Sequence, residues 1–139
     1  MRDSERGSVT IWMLGLSLLL LLFGGLAVDF WRGLAVQREL SAVADSAAIA
    51  AGSGIDEEHY RFAGEVRLDP ARARDLAVAS ISFQDVDLTD LRVVTAADGS
   101  NVTVTIVSEV ELGLLGVFID DSDPFVVRAS ATAAPRLVP

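Results

Sequence analysis

The chain has 139 residues, a formal net charge of −9 and no cysteine. All its basic residues are arginines, and no cluster of them is dense enough to neutralise a run of phosphates, so nucleic acid is excluded as a partner. Without cysteine there are no disulfides, no thiol chemistry and no Cys-based zinc site. Setting aside the first 28 residues leaves about 110, enough for one compact domain with a modest core.

From Gly7 to Val28 the chain carries no ionisable side chain, and it then continues without a break into the alanine-rich, amphipathic stretch Asp29 to Ala51. This reads as one helix, half apolar throughout and half amphipathic. From Ser8 to Ala51 it would reach on the order of 65 Å, roughly twice the hydrocarbon thickness of a bilayer. About 20 apolar residues suffice to cross, and Trp12 and Trp31 stand where a membrane's two water boundaries would fall. Gly25-Leu26-Ala27 imitates the small-residue site of a cleaved signal peptide, but the apolar run exceeds the length of a secretory h-region. A membrane anchor is therefore expected. Arginines flank the span on both sides, Arg2 and Arg6 before it and Arg32 and Arg38 after it, and the shortness of the leading tail favours a cytoplasmic N-terminus.

Beyond the bilayer, Leu40, Val43, Ala44, Ala47, Ala48 and Ala51 recur at spacings of three and four, with Arg38, Ser41 and Asp45 on another face. Small residues in a stripe allow close approach of a second helix, or of the protein's own sheet. Gly52-Ser53-Gly54 should stop the helix through the left-handed conformation that glycine accepts.

In the remaining chain, Asp56-Glu57-Glu58 starts a short helical element reaching about Phe62. Asp69-Pro70, a cap followed by proline at the first helical position, starts a firmer helix to about Phe83. Its buried face should hold Ala73, Leu76, Ala77, Ser80 and Phe83. Leu91 to Ala96 reads as a strand, Asp98-Gly99 as a hairpin turn, and Val102 to Leu112 as a longer strand. In that strand Val102, Val104, Ile106, Val110 and Leu112 alternate with Thr103, Thr105, Glu109 and Glu111. A last strand from Phe125 to Thr132, reached by a crossing link over Leu114 to Ile119, completes a three-stranded antiparallel sheet. The divisions expected are a tail at 1–7, a transmembrane helix at 8–28, an extracytoplasmic extension at 29–52 and a small head at 53–139.

Two stretches resemble a known family. Gly25-Leu26-Ala27-Val28-Asp29-Phe30-Trp31-Arg32, followed by Leu40 to Ala51 with its Ala-Asp-Ser-Ala-Ala run, is similar to the N-terminal segment of TadE/TadG-like Flp pilus-assembly (tight adherence) proteins. There an apolar helix ends in a G-L-x-x-D-x-x-R element and continues into an alanine-rich run. The resemblance covers Arg6 to Gly54. The part that follows is similar in style to small actinobacterial TadE-like proteins, through Gly64-Glu65-Val66-Arg67-Leu68-Asp69-Pro70 and the strand-rich tail. The elements read from the sequence make an α+β membrane-anchored protein whose small head, expected outside the cytoplasm, agrees with a pilin-like design, and the resemblance implies a single-pass membrane protein of the tight-adherence secretion and pilus system. It also implies membrane lipid and other pilus or secretion-apparatus subunits as partners, a second copy of the chain among them. The family's Asp and Arg fall on Asp29 and Arg32, three apart and so neighbours on the helix. Prepilin cleavage would fall after Gly7, making Ser8 first and Trp12 fifth. The glutamate expected at that fifth position is absent, so an uncleaved anchor is preferred.

Catalytic and metal-binding patterns are weak by comparison. His59 is the sole histidine, beside Glu57 and Glu58 in what reads as a solvated helix start. Asp85, Asp87 and Asp90 fail the calcium-loop pattern, because Thr89 and Asp90 stand where a ligand and a glycine are needed. Asp120, Asp121 and Asp123 form a tighter acidic cluster that reads as a solvated turn, with a loop calcium site as the alternative. Asn101-Val102-Thr103 is formally a glycosylation sequon at a strand start. No cofactor and no small-molecule substrate is implied, and the chain does not read as an enzyme. The preferred reading is a minor pilin-like or accessory assembly subunit acting through helix packing and protein contacts. Gly24, Gly25, Asp29, Arg32, Ala44, Asp45, Ala47 and Ala48 carry that packing. The alternative is a membrane-tethered extracytoplasmic binding module, in which the long helix is only a stalk.

Overall fold

The structure, a computed structural model, describes residues 4–84, 86–110 and 125–136. Asp85, the strand end at Glu111 and Leu112, the expected link over Leu114 to Ile119 and the acidic cluster at Asp120, Asp121 and Asp123 lie outside them. The elements follow the order α1 (Ser4–Gly52), α2 (Glu57–Ala63), α3 (Pro70–Ser82), β1 (Asp90–Thr95), β2 (Val102–Val110) and β3 (Phe125–Ala133).

A leucine-rich sequence without proline makes α1 a single helix of 49 residues, about 73 Å long. It is long and apolar enough to cross a membrane, with a mean hydropathy of 2.4 over its most apolar 18-residue window. Its inner half is bare: Trp12, Leu14, Leu18, Phe23 and Phe30 are all at least 60% exposed. The outer half is the opposite, because Leu40, Val43, Ala44, Ala47, Ala48 and Ala51 are buried in the head.

The stop at Gly52-Ser53-Gly54 forms where expected but for another reason. Neither glycine takes the left-handed conformation, which among the described glycines is confined to Gly64 and Gly99. The last turn instead tightens through Ser53 N–H to Ala50 O (3.1 Å) and Gly54 N–H to Ala51 O (3.0 Å). Gly54 is needed for proximity. A Cβ there would stand 2.8 Å from the Ala73 nitrogen, so glycine lets the chain reversal press against the first turn of α3.

Both short helices are capped by aspartate. Asp56 accepts from the His59 N–H (2.9 Å), and Asp69 accepts from Ala71 N–H (2.8 Å) and Arg72 N–H (3.2 Å) with Pro70 entering the first turn. Between them, Ile55 and Leu68 form an antiparallel bridge, and Asp56 N–H donates to Arg67 O (2.8 Å). The bridge closes α2 into a side loop. α3 therefore returns antiparallel to α1, with Ala73 beside Gly54 and Gln84 Nε2 donating to Ser46 Oγ (2.8 Å) farther down.

The three strands form an antiparallel sheet in the order β1-β2-β3, with Thr95 opposite Val102 and Val110 opposite Phe125. α1 packs over β2 and β3 while α3 covers β1, giving two helices on one face of the sheet. Gly99, at φ 68°, turns the β1-β2 connection against Leu68, whose N–H donates to Gly99 O (3.0 Å). β2 supplies Val102, Val104 and Ile106 to the core and β3 supplies Val127, Ala129 and Ala131, the alternation expected of half-buried strands. Full burial of Leu40, Ile106, Val102 and Val104 contributes about 1.5–3 kcal/mol for each side chain. Ser108 interrupts the apolar series and is satisfied by donating to Asp87 O (2.8 Å).

One core assignment is overturned. Phe83 is 89% exposed, and Ile81 takes the buried place after Ala73 and Ala77. Residues 73, 77 and 81 repeat at four, whereas Phe83 is the C-cap, two residues or about 200° round the helix from Ile81. Leu76 and Ser80 are half-buried at the margin of that face.

Candidate assembly surface

The residues singled out on α1 divide between two faces. Gly25, Asp29, Val36, Leu40, Val43, Ala47 and Ala51 follow one another at steps of three, four or seven and form the face turned to the head. Ala44 and Ala48 flank it. Of these Ala44 and Ala47 are wholly buried and Ala48 is 2% exposed, so the alanine stripe is occupied by the protein's own sheet and α3. Asp29 is buried as well, at 7% exposure.

Gly24 and Asp45 lie on the other side. They belong to a row in which Gly24, Ala27, Trp31, Ala35, Arg38, Ala42, Asp45 and Ile49 follow at steps of three and four, every one exposed. A side chain at Gly24 would meet nothing described within 4 Å. The row alternates small residues, Gly24, Ala27, Ala35 and Ala42, with the larger Trp31 and Ile49, carries one basic and one acidic side chain, and runs without interruption from the apolar half of α1 along the back of the head. Sequence reasoning missed it as a unit. The 3.6-residue period was legible, but the more apolar row opposite dominated the pattern.

Arg32 is exposed between the two faces, at the mouth of a groove of about 440 Å³. One wall is α1 from Leu26 to Gln37, including Asp29, Phe30 and Arg32; the other is the end of the sheet, with Val110, Phe125, Val126 and Arg128. The signal in the sequence was the unbroken apolar triplet Phe125-Val126-Val127, where a strand with one wet face would alternate. Phe125 and Val126 are each 53% exposed while Val127 is buried.

Among the described titratable groups of the head, the ion pairs gather around α2. His59 Nε2, itself buried and without a hydrogen-bond partner, stands 3.6 Å from the Glu65 carboxylate, while Glu57 accepts from Arg72 (2.8 Å) and lies 3.8 Å from Arg61, joining α2 to α3 across an exposed surface. Asp98 is held below its ordinary value of 3.8 first by the Ser100 hydroxyl, then by the Ser100 backbone N–H, which donates to it at 3.0 Å. Among the described residues no group of three or more histidines and carboxylates is placed to hold a metal ion. On the open face of the sheet, hydroxyls pair across the strands, Thr103 with Thr132 (2.9 Å) and Thr105 with Ser130 (3.2 Å).

Residues 7–54, about a third of the chain, match the family model of the putative Flp pilus-assembly TadE/G-like proteins. No curated protein and no solved structure matches the chain.

Proposed function

We propose that this chain is a minor pilin-like or accessory assembly subunit of a Tad-type Flp pilus or secretion system. It is anchored by the inner half of α1, with the N-terminus cytoplasmic and the head extracytoplasmic. The observation that supports this reading is the coincidence of the TadE/G-like match at 7–54 with one structural unit, α1, which is bare and apolar at one end and core-forming at the other. A helix rigidly fixed to its head transmits position. A neighbour that packs on the membrane-embedded half therefore also sets where the head stands. In this reading the exposed row through Gly24, Ala35, Ala42 and Asp45 meets other subunits or a second copy, because small side chains allow a close helix crossing and Arg38 and Asp45 fix its register. Gly25, Asp29, Ala44, Ala47 and Ala48 act one step back, by holding α1 to the head. No step of covalent chemistry is required.

The test uses the natural absence of cysteine. Ala97→Cys, in the exposed β1-β2 connection, should react with a membrane-impermeant maleimide on intact cells. Ala42→Trp on the exposed row should abolish co-isolation with other subunits of the apparatus while the head stays folded. Protection of the Ala97→Cys thiol until lysis, with the protein still in the membrane fraction, would place the head in the cytoplasm and sink the proposal.

A further inference from the structure

We infer that the end of the head nearest the membrane is a lipid-docking surface, in which the groove between α1 and the β2-β3 end takes the interfacial part of a phospholipid. The inference rests on the anchoring of α1 in a membrane proposed above. Its geometry comes from the direction of β3. At its far end β3 leads to Ala134, whose carbonyl lies beside Gly52, and Arg136 N–H donates to Gly52 O (2.9 Å). At its near end Phe125 faces the stretch of α1 from Leu26 to Gln37. The strand therefore runs alongside the outer half of the helix, and its first residues point back toward the membrane.

The level follows from lengths. The charge-free run Gly7–Val28 spans about 33 Å at 1.5 Å per residue, close to the ~30 Å of bilayer hydrocarbon. Headgroups add about 5–8 Å on each side, which is another four or five residues and brings the headgroup layer to about Gly33. A groove whose helical wall begins at Leu26 thus opens at the hydrocarbon edge and crosses the headgroup layer.

Its chemistry suits that position. Phe125 and Val126 expose half their surface and share the groove with bare Phe30 of α1, so the solvent that covers Phe30 also reaches the sheet end. Arg32 and Arg128, both exposed, stand on opposite walls, where they complement the phosphate of any phospholipid although the chain as a whole is acidic. Carboxylates lie at this end too: Asp29 is buried in the helical wall, Glu109 stands opposite Val126, Asp90 opposite Val107, and Asp87 accepts from Ser108 through its carbonyl. Beside these carboxylates the two arginines leave no excess of positive charge, which favours the headgroup layer of a zwitterionic membrane over free phosphate.

Nitroxide labels in the full-length protein, reconstituted in phosphatidylcholine nanodiscs, test this. With labels at Val126→Cys and Phe125→Cys, oxygen should relax the spin more than a water-soluble nickel chelate does, and at Ala97→Cys the order should reverse. Arg32→Gln with Arg128→Gln should shift the Val126 label toward the water-soluble relaxant. Three results would overturn docking: Val126 as open to the chelate as Ala97, Val126 shielded from both relaxants because protein covers it, or no shift in the double arginine variant. A label at Leu20→Cys separates the two readings. Oxygen-dominated relaxation there keeps the anchor even when docking fails, whereas access of the chelate to Leu20 removes the anchor itself.

Discussion

Ala47→Leu is the substitution that bears most directly on how α1 is used. Ala47 has no exposed surface and sits where α1, α3 and the sheet converge, so three added carbons have no solvent to enter. Overpacking of this kind costs about 1–3 kcal/mol, since the larger side chain forces neighbours off their rotamers or shifts the backbone. At about 2 kcal/mol the unfolded fraction of the head rises about 30-fold. Amide hydrogen exchange along β2 reads this in the intact protein in detergent. That strand is bonded to β1 on one side and β3 on the other, so its slowest amides exchange only when the whole head opens. Ala42→Leu, on the exposed row of the same helix, is the matched control and should stay within about 0.5 kcal/mol, roughly a twofold change in rate. If Ala47→Leu left β2 exchange as slow as in the control, the alanine stripe would not be packed on the head. It would then belong to a contact with another subunit.

Two further outcomes follow from the same packing and electrostatics. Gly54→Ala places a Cβ 2.8 Å from the Ala73 nitrogen and 2.9 Å from its Cα, both backbone atoms, so α3 must shift and thermal unfolding of the head should begin about 4–8 °C lower for each kcal/mol lost; an unchanged midpoint would show that the reversal has slack. Asp98 has its carboxyl lowered on folding, so its contribution is present above the ordinary value of 3.8 and is lost as pH falls through the lower, folded value. Asp98→Asn should therefore melt slightly earlier than the natural chain at pH 6, and the gap should close in titration below pH 3.8; a gap that persists in acid would refute the hydrogen-bonded carboxylate as its source.

Local structure was written in the sequence because its causes are local. The charge-free run made the inner half of α1, which begins at Ser4, four residues before the expected Ser8; Asp56 and Asp69 made two caps, Pro70 started α3, and alternation from Val102 to Ile106 made a half-buried strand, with α2 and α3 within a residue of their expected bounds. The TadE/G-like resemblance lay in the same segment, and the family model matches it at 7–54. Periodicity says which residues share a face, and nothing about what covers that face. The alanine stripe could have met another helix or the protein's own sheet, and only the fold brought β3, some eighty residues away in the chain, onto it. For the same reason Phe83 gave way to Ile81, and Gly54 proved to be a contact point for Ala73 instead of a left-handed stop. The groove depended on tertiary structure most of all. Its walls, Leu26 to Gln37 and Phe125 to Arg128, have no relation in sequence and meet because the strand lies along the helix.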